Sequence, residues 1–412
     1  MKPAIVTSPW VLHRFQVNKD VAQAMRTKHP WIYRRQCSSA LQALPIGCLV
    51  RVVGPKNEFL GIGLHDPLSI VAIRMFSFVD VAIDSQYFYD RLLAKYKERY
   101  EEAKTQNTNA FRWIHGEVDG FGGVNIDVYQ NTAVAVFYLE NWQHYLLDVL
   151  QALSDELKLE HFYFRLPHGQ TEGLKSGDLY DCKSRSVIPA AEPVWFQEGS
   201  HEYPAYVVTG QKTGFYLDLR EVRLCLQKLD LNNKRVLNLF SGSGVLSGLM
   251  EKQGADFVVS VEASAKCQQQ FGVLQQAWGL SAQKHEWLNE DVWDYLKSEK
   301  FLKGKNFDVI ILDPPALAKS HAAQENLNRI WSGLVEKCLA KLNVGGQLFT
   351  ICCTDRISEM EHGLWTKEVA TLENINLVCV QKIKQPFDHP AHPKLKERDY
   401  FHAYQWERKA LR

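Results

Sequence analysis

Val236-Leu237-Asn238-Leu239-Phe240-Ser241-Gly242-Ser243-Gly244 is the stretch that decides the fold class. An apolar run of strand length flows into a glycine turn, and helical spacing follows over 245–253. Glycines in such a turn let the backbone approach a ligand closely, and a helix N-terminus presents free N–H groups. The next strand is expected at 257–261, and Glu262 follows it directly. A carboxylate there can accept hydrogen bonds from the ribose hydroxyls of an adenosine, with Ala263 beside it. Asp291, followed by Val292, closes the next segment and is placed to meet an adenine amino group.

Strands at 235–240, 257–261, 307–312 and 347–353 alternate with helices at 245–253, 265–278, 293–300 and 325–342. That alternation predicts a doubly wound, Rossmann-like α/β sheet. A helix at 359–372 and strands at 376–383 and 400–406 are expected to close it as an antiparallel hairpin.

On the glycine turn alone, Gly242-x-Gly244-x-x-x-Gly248 suits a nicotinamide dehydrogenase as well as a methyltransferase. The fourth strand separates them. It ends in Asp313-Pro314-Pro315, a rigid turn that exposes carbonyls and one carboxylate where an open sheet binds ligands. Amino-group methyltransferases follow Pro-Pro with a stacking aromatic; Ala316 and Leu317 stand here, which disfavours an exocyclic amine as target. The fifth strand ends in Cys352-Cys353-Thr354. A thiolate there can attack carbon six of a pyrimidine and make carbon five nucleophilic. Side chains alternate along a strand, so only one cysteine faces the cleft; the competing reading is that both are inert core thiols.

Outside this section the sequence is plainer. The chain has 412 residues, 46% hydrophobic and 23% charged, as expected of two or three globular domains. Nine cysteines without a C-x-x-C pair argue against a disulfide framework or a zinc site and for reduced thiols. No apolar run is long enough for a membrane span, and the first ten residues do not resemble a secretory leader, so a cytoplasmic location is expected. Residues 1–78 carry a net charge of +7, leaving −6 for the rest, which suggests an anionic polymer as partner. Short strands at 48–53, 59–64 and 69–76 between Gly/Pro turns indicate a small barrel or sandwich. His29-Pro30-Trp31-Ile32-Tyr33-Arg34-Arg35 mixes cations with aromatics, an RNA-contacting composition unless Trp31 and Tyr33 are simply core. A central α+β section follows, with a helix at 85–104, strand-like runs at 133–139 and 161–166 around a helix at 142–157, and Glu117 and Asp119 in a glycine turn. The expected domains are 1–78, 79–197 and 198–412.

The whole pattern resembles the class I ribosomal RNA large subunit cytosine-5 methyltransferases that carry an N-terminal PUA domain. His29-Pro30-Trp31-Ile32-Tyr33 is similar to the PUA module, and Gly116-Glu117-Val118-Asp119-Gly120 to the family's central EEHEAD domain. Gly210-Gln211-Lys212-Thr213-Gly214-Phe215-Tyr216-Leu217-Asp218-Leu219-Arg220 is close to its signature ahead of the first Rossmann strand. The resemblance implies 23S ribosomal RNA as substrate and Cys353 as nucleophile. It also implies S-adenosyl-L-methionine as cofactor and no metal. Phe215, Asp218 and Arg220 would lie around the cofactor or its loop, with Asn238, Phe240, Ser241, Gly242, Ser243, Gly244, Glu262, Ala263, Asp291, Val292 and Asp313 completing the pocket. Asp313 would also orient the base. His389 and Asp388, in the retained Asp-His-Pro, are candidates for the base that deprotonates carbon five, or else order a loop. The family's usual Ser-Cys-Ser is Cys352-Cys353-Thr354 here. Two other readings are methylation of a different RNA base and an inactive ribosome-assembly factor.

Overall fold

The strand and helix signals of the sequence assemble into four sheets in a computed structural model that describes residues 10–165, 180–181, 186–187, 193–317, 326–395 and 400–411. Contacts divide the chain into two compact units: Met1–Leu217 with Phe387–Leu395, and Asp218–Pro386 with Lys396–Arg412.

The first unit holds two main sheets. Strands β1 (Leu12–Gln16), β2 (Trp31–Tyr33), β3 (Leu49–Val53), β4 (Phe59–His65) and β5 (Val71–Ser77) pair in the order β1-β3-β4-β5-β2. Helix α1 (Lys19–Arg26), capped by Asn18, buries Val21, Ala22 and Met25 against this sheet. The second sheet runs β11-β10-β9-β8-β7-β6, built from β6 (Ala110–His115), β7 (Val124–Tyr129), β8 (Thr132–Phe137), β9 (His161–Arg165), β10 (Tyr180–Asp181) and β11 (Ser186–Val187). Helices α2 (Ser85–Thr105) and α3 (Gln143–Glu156) pack with it.

These two sheets share a core. Leu49, Ile62, Leu64 and Phe76 join Phe88, Leu92, Trp113 and Trp142 in one buried cluster. The unit therefore closes across the boundary expected at 78/79. It also takes in a hairpin, β12 (Val194–Glu198) and β13 (His201–Ala205), that crosses the boundary expected at 197/198. Glu117 is more than a turn residue. Only 3% exposed, it accepts the indole N–H of Trp31 at 3.0 Å and pairs with Arg74 at 2.7 Å. Trp31 is thereby half-buried and anchored through its indole N–H.

The second unit is the Rossmann-like one. Strands β14 (Arg235–Leu239), β15 (Phe257–Val261), β16 (His285–Leu288), β17 (Phe307–Leu312), β18 (Leu342–Cys353), β19 (Asn376–Ile383) and β20 (Phe401–Lys409) form one sheet ordered β16-β15-β14-β17-β18-β20-β19. The first five pair in parallel, and β20 is antiparallel to both β18 and β19. Central β17 is buried apart from half-covered Asp308, as a strand covered on both faces must be. The helices begin where the sequence offers caps. Ser264 accepts Cys267 N–H ahead of Ala265–Trp278, and Ser358 with Glu361 forms a capping box ahead of Glu359–Leu372. The chain reverses direction beside β14, so β14 and β17 flank the point where such sheets bind ligands.

Candidate active site

Strand β14 ends at Leu239, and Phe240 turns into the left-handed region with φ of 60°. Gly242 and Gly244 share that conformation, at 54° and 75°, but are glycines for different reasons. A β-carbon on Gly244 would sit 2.3 Å from the Phe271 ring, whereas one on Gly242 would meet nothing within 4 Å. Gly244 is required by packing. Gly242 keeps a stretch of backbone open, a cradle that a side chain would fill. Ser241 is buried, Ser243 half-exposed, and Gly244 leads into helix α5 (Val245–Lys252).

Glu262, directly after β15, braces this loop. Its Oε2 accepts the Gly242 N–H and its Oε1 the Ser264 N–H, each at 3.0 Å. A carboxylate offers about four lone-pair directions, so two remain for a ligand's hydroxyls. Ala263 next to it is exposed. Asp291 is exposed and caps a one-turn helix, Val292–Tyr295, by accepting Trp293 N–H at 2.8 Å, while Val292 is buried. Trp293 and Phe240 meet edge to face with centroids 6.3 Å apart. An open glycine cradle, a braced carboxylate with spare acceptor capacity and an aromatic pair suit an adenosine-bearing cofactor, so the residues present fit S-adenosylmethionine.

Asn238, expected at the cofactor, sends its side chain elsewhere. It is buried, and its amide donates to Ser247 Oγ at 2.8 Å. From there a polar chain continues through Ser260, whose hydroxyl lies 2.7 Å from Ser247 Oγ and 2.9 Å from His285 Nε2. Asn238 supports helix α5 from the sheet. Its strand position, one before Leu239, gave no sign of which face it would take.

The thiol and the acid come together at the next strand ends. Asp313 follows β17, half-buried, with its N–H 3.5 Å from the Leu239 carbonyl. Cys353 ends β18 opposite Phe401, and its sulfur lies 3.9 Å from Asp313 Oδ1. Cys352 points into the core, 2% exposed, and burial pushes its thiol up to about 12. Alternation puts the two thiols on opposite faces, and the sulfur beside the Asp313 carboxylate is that of Cys353.

Asp218 and Arg220 are both buried in the second unit, Asp218 accepting the Tyr400 hydroxyl at 3.0 Å. The sequence shows Tyr400 only as the first residue of an expected strand, which carries no signal of this contact. Phe215 belongs to the first unit, 7% exposed and edge-on to Phe196 at 4.9 Å, a core contact. Asp388 and His389 lie in that same unit, fully enclosed. His389 Nδ1 is 2.9 Å from Asp388 Oδ1, and Asp388 Oδ2 accepts the Arg112 N–H at 2.9 Å. These bonds order the 387–395 strap. Among the described residues no cluster of potential metal ligands occurs, and no helix is long and apolar enough to cross a membrane.

A seven-stranded sheet of this order, with an open glycine loop after β14 braced by the carboxylate after β15, is the fold of a Rossmann-like S-adenosylmethionine-dependent methyltransferase. The same fold occurs in a methyltransferase crystallised with S-adenosylhomocysteine (TM-score 0.79, 19% identity, covering 95% of this chain and 99% of that one) and in a SAM-dependent methyltransferase from Streptococcus mutans (TM-score 0.78, 19% identity, 95% and 99%). Residues 15–78 match the PUA-like domain family, and residues 221–341 match the family described as conserved hypothetical protein 95. The ribosomal RNA large subunit methyltransferase of Deinococcus radiodurans is 30% identical over 84% of this chain and 86% of its own length. The ribosomal RNA large subunit methyltransferase I of Photobacterium profundum is 30% identical over 90% and 93%. The chain belongs to this ribosomal RNA large subunit methyltransferase family.

Proposed function

We propose that the protein methylates large-subunit ribosomal RNA in the cytoplasm, at carbon five of a cytosine, through a covalent bond to Cys353. The observation that carries this reading is the pairing of Cys353 and Asp313 at adjacent strand ends, one strand away from the glycine cradle. That the relatives are ribosomal RNA large subunit methyltransferases supports the substrate class.

Gly242, Gly244, Glu262 and Asp291 would hold S-adenosylmethionine, which when bound supplies an electrophilic methyl group on a sulfonium. Asp313 would hydrogen-bond the edge of the cytosine and hold carbon six before the sulfur. Cys353, as thiolate, adds to carbon six, and the displaced electron pair makes carbon five nucleophilic. After carbon five has been substituted, a base takes its proton, the ring double bond reforms and sulfur leaves with its electron pair. Addition perpendicular to the ring requires an unstacked nucleotide, at a cost of about a few kcal/mol that RNA loops keep low.

Mass spectrometry of ribosomal RNA nucleosides from a deletion strain tests the reading. A 5-methylcytidine should disappear, return with the wild-type gene and stay absent with Cys353→Ala. Loss of a different methylated nucleoside would overturn the cytosine assignment.

A further inference from the structure

The tip of the β4–β5 hairpin holds two large aliphatic side chains out in solvent. Leu68 is 95% exposed and Ile70 78%. The tip that carries them is fixed. Asp66 Oδ1 accepts the N–H groups of Leu68 and Ser69, both at 3.0 Å. Arg34 donates from its guanidinium to the carbonyls of Asp66 and of Ser69, the latter at 3.0 Å, and from its backbone N–H to the Ile70 carbonyl at 2.8 Å. These bonds staple the tip to the end of β2, an edge strand. A rigid loop that displays apolar surface gains nothing for folding, and such surface marks contact with a partner.

Between staple and tip lies a cleft of about 580 Å³ lined by Tyr33, Arg34, Arg35, Leu68, Ser69 and Ile70. Tyr33 is half-exposed, and the Arg35 guanidinium lies 5.8 Å from its ring centroid. Among the described residues no carboxylate lines it. Asp66 beside it is 5% exposed, and its second oxygen lies 3.6 Å from Arg74 Nε. The surrounding 78 residues carry a net charge of +7.

We propose that this cleft binds one unstacked nucleotide of single-stranded RNA, its base against Leu68, Ile70 and Tyr33 and its phosphate at Arg35. The proposal rests on RNA being the substrate. Apolar platforms joined to arginines suit the flat faces and charged backbone of an unpaired strand. A protein partner would need a far wider apolar face than this tip offers.

The test uses the full-length protein and a fluorescein-labelled single-stranded RNA of about twelve nucleotides, read by anisotropy. The double variant Leu68→Ser/Ile70→Ser should bind about fivefold or more weakly. Arg35→Gln should flatten the slope of log K against log salt by about 0.7, the loss of one phosphate contact. All variants should bind S-adenosylmethionine as the wild type does. Unchanged RNA affinity and salt slope in both, with a wild type that binds RNA, overturns the cleft and leaves the methyltransferase reading standing. The same holds if the serine variant abolishes self-association in sedimentation without affecting RNA binding. A wild type that does not bind the RNA overturns the cleft, and one that also fails to methylate ribosomal RNA overturns both.

Discussion

Glu262 Oε2 accepts the backbone N–H of Gly242 at 3.0 Å, so the carboxylate after one strand fixes the glycine loop after its neighbour. Glu262→Ala removes that brace together with the acceptor for a ligand's hydroxyls. Charge-assisted hydrogen bonds of this kind contribute about 1.5–3 kcal/mol. Calorimetry should therefore show S-adenosylmethionine binding weakened by about one to two orders of magnitude, with the fold intact by circular dichroism.

The two loop glycines should separate by mechanism. Gly244→Ala places a methyl group 2.3 Å from the Phe271 ring in a left-handed backbone, and stability should fall by about 3 kcal/mol or more in urea titrations. Gly242→Ala meets no atom within 4 Å and carries only the conformational cost, about 1–2 kcal/mol, but fills the cradle. Its larger effect should be on cofactor affinity.

Acid should destabilise the second unit through buried neutral histidines. Burial pushes His285 down to about 4 and His362 down to about 3, the latter also through His402. The unfolded chain binds these protons below about pH 6.5 and the folded chain does not, so stability is present above that pH. It is lost as pH falls toward 4 for His285 and toward 3 for His362. His285→Gln should shrink the loss of urea stability between pH 6.5 and 4, by up to about 3 kcal/mol at about 1.4 kcal/mol per pH unit. An unchanged acid profile would contradict the burial argument.

Much of the second unit was legible because its strands are apolar runs and its helices carry caps. Strands 257–261, 307–312 and 376–383 and helices 265–278 and 359–372 were placed to the residue. The edge strand His285–Leu288 was missed because all four of its residues are half-buried and form no apolar run. Domain limits were harder. The core shared by Phe76 and Trp142, and the return of Phe387–Leu395 to the first unit, are long-range pairings that local pattern does not encode. At the site, the residue types after each strand were readable, but Asn238 faced the helix side for a reason, the polar partner Ser247, that lies nine residues on.

Glu117 ties Trp31 and Arg74 of the first sheet to the turn after β6. Removing one partner of a buried ion pair costs about 3–5 kcal/mol. Glu117→Ala should lower the urea midpoint accordingly, and Glu117→Gln, which can still accept the Trp31 N–H, should lose less.

Trapping on RNA substituted with 5-fluorocytidine tests the central claim most directly, because fluorine at carbon five cannot leave as a proton and arrests the sulfur–carbon bond. The wild type and Cys352→Ala should form a denaturation-resistant complex with the substituted RNA in the presence of S-adenosylmethionine, and Cys353→Ala should form none. A complex that survives in Cys353→Ala, or an active wild type that never forms one, would contradict the assignment of Cys353 as nucleophile.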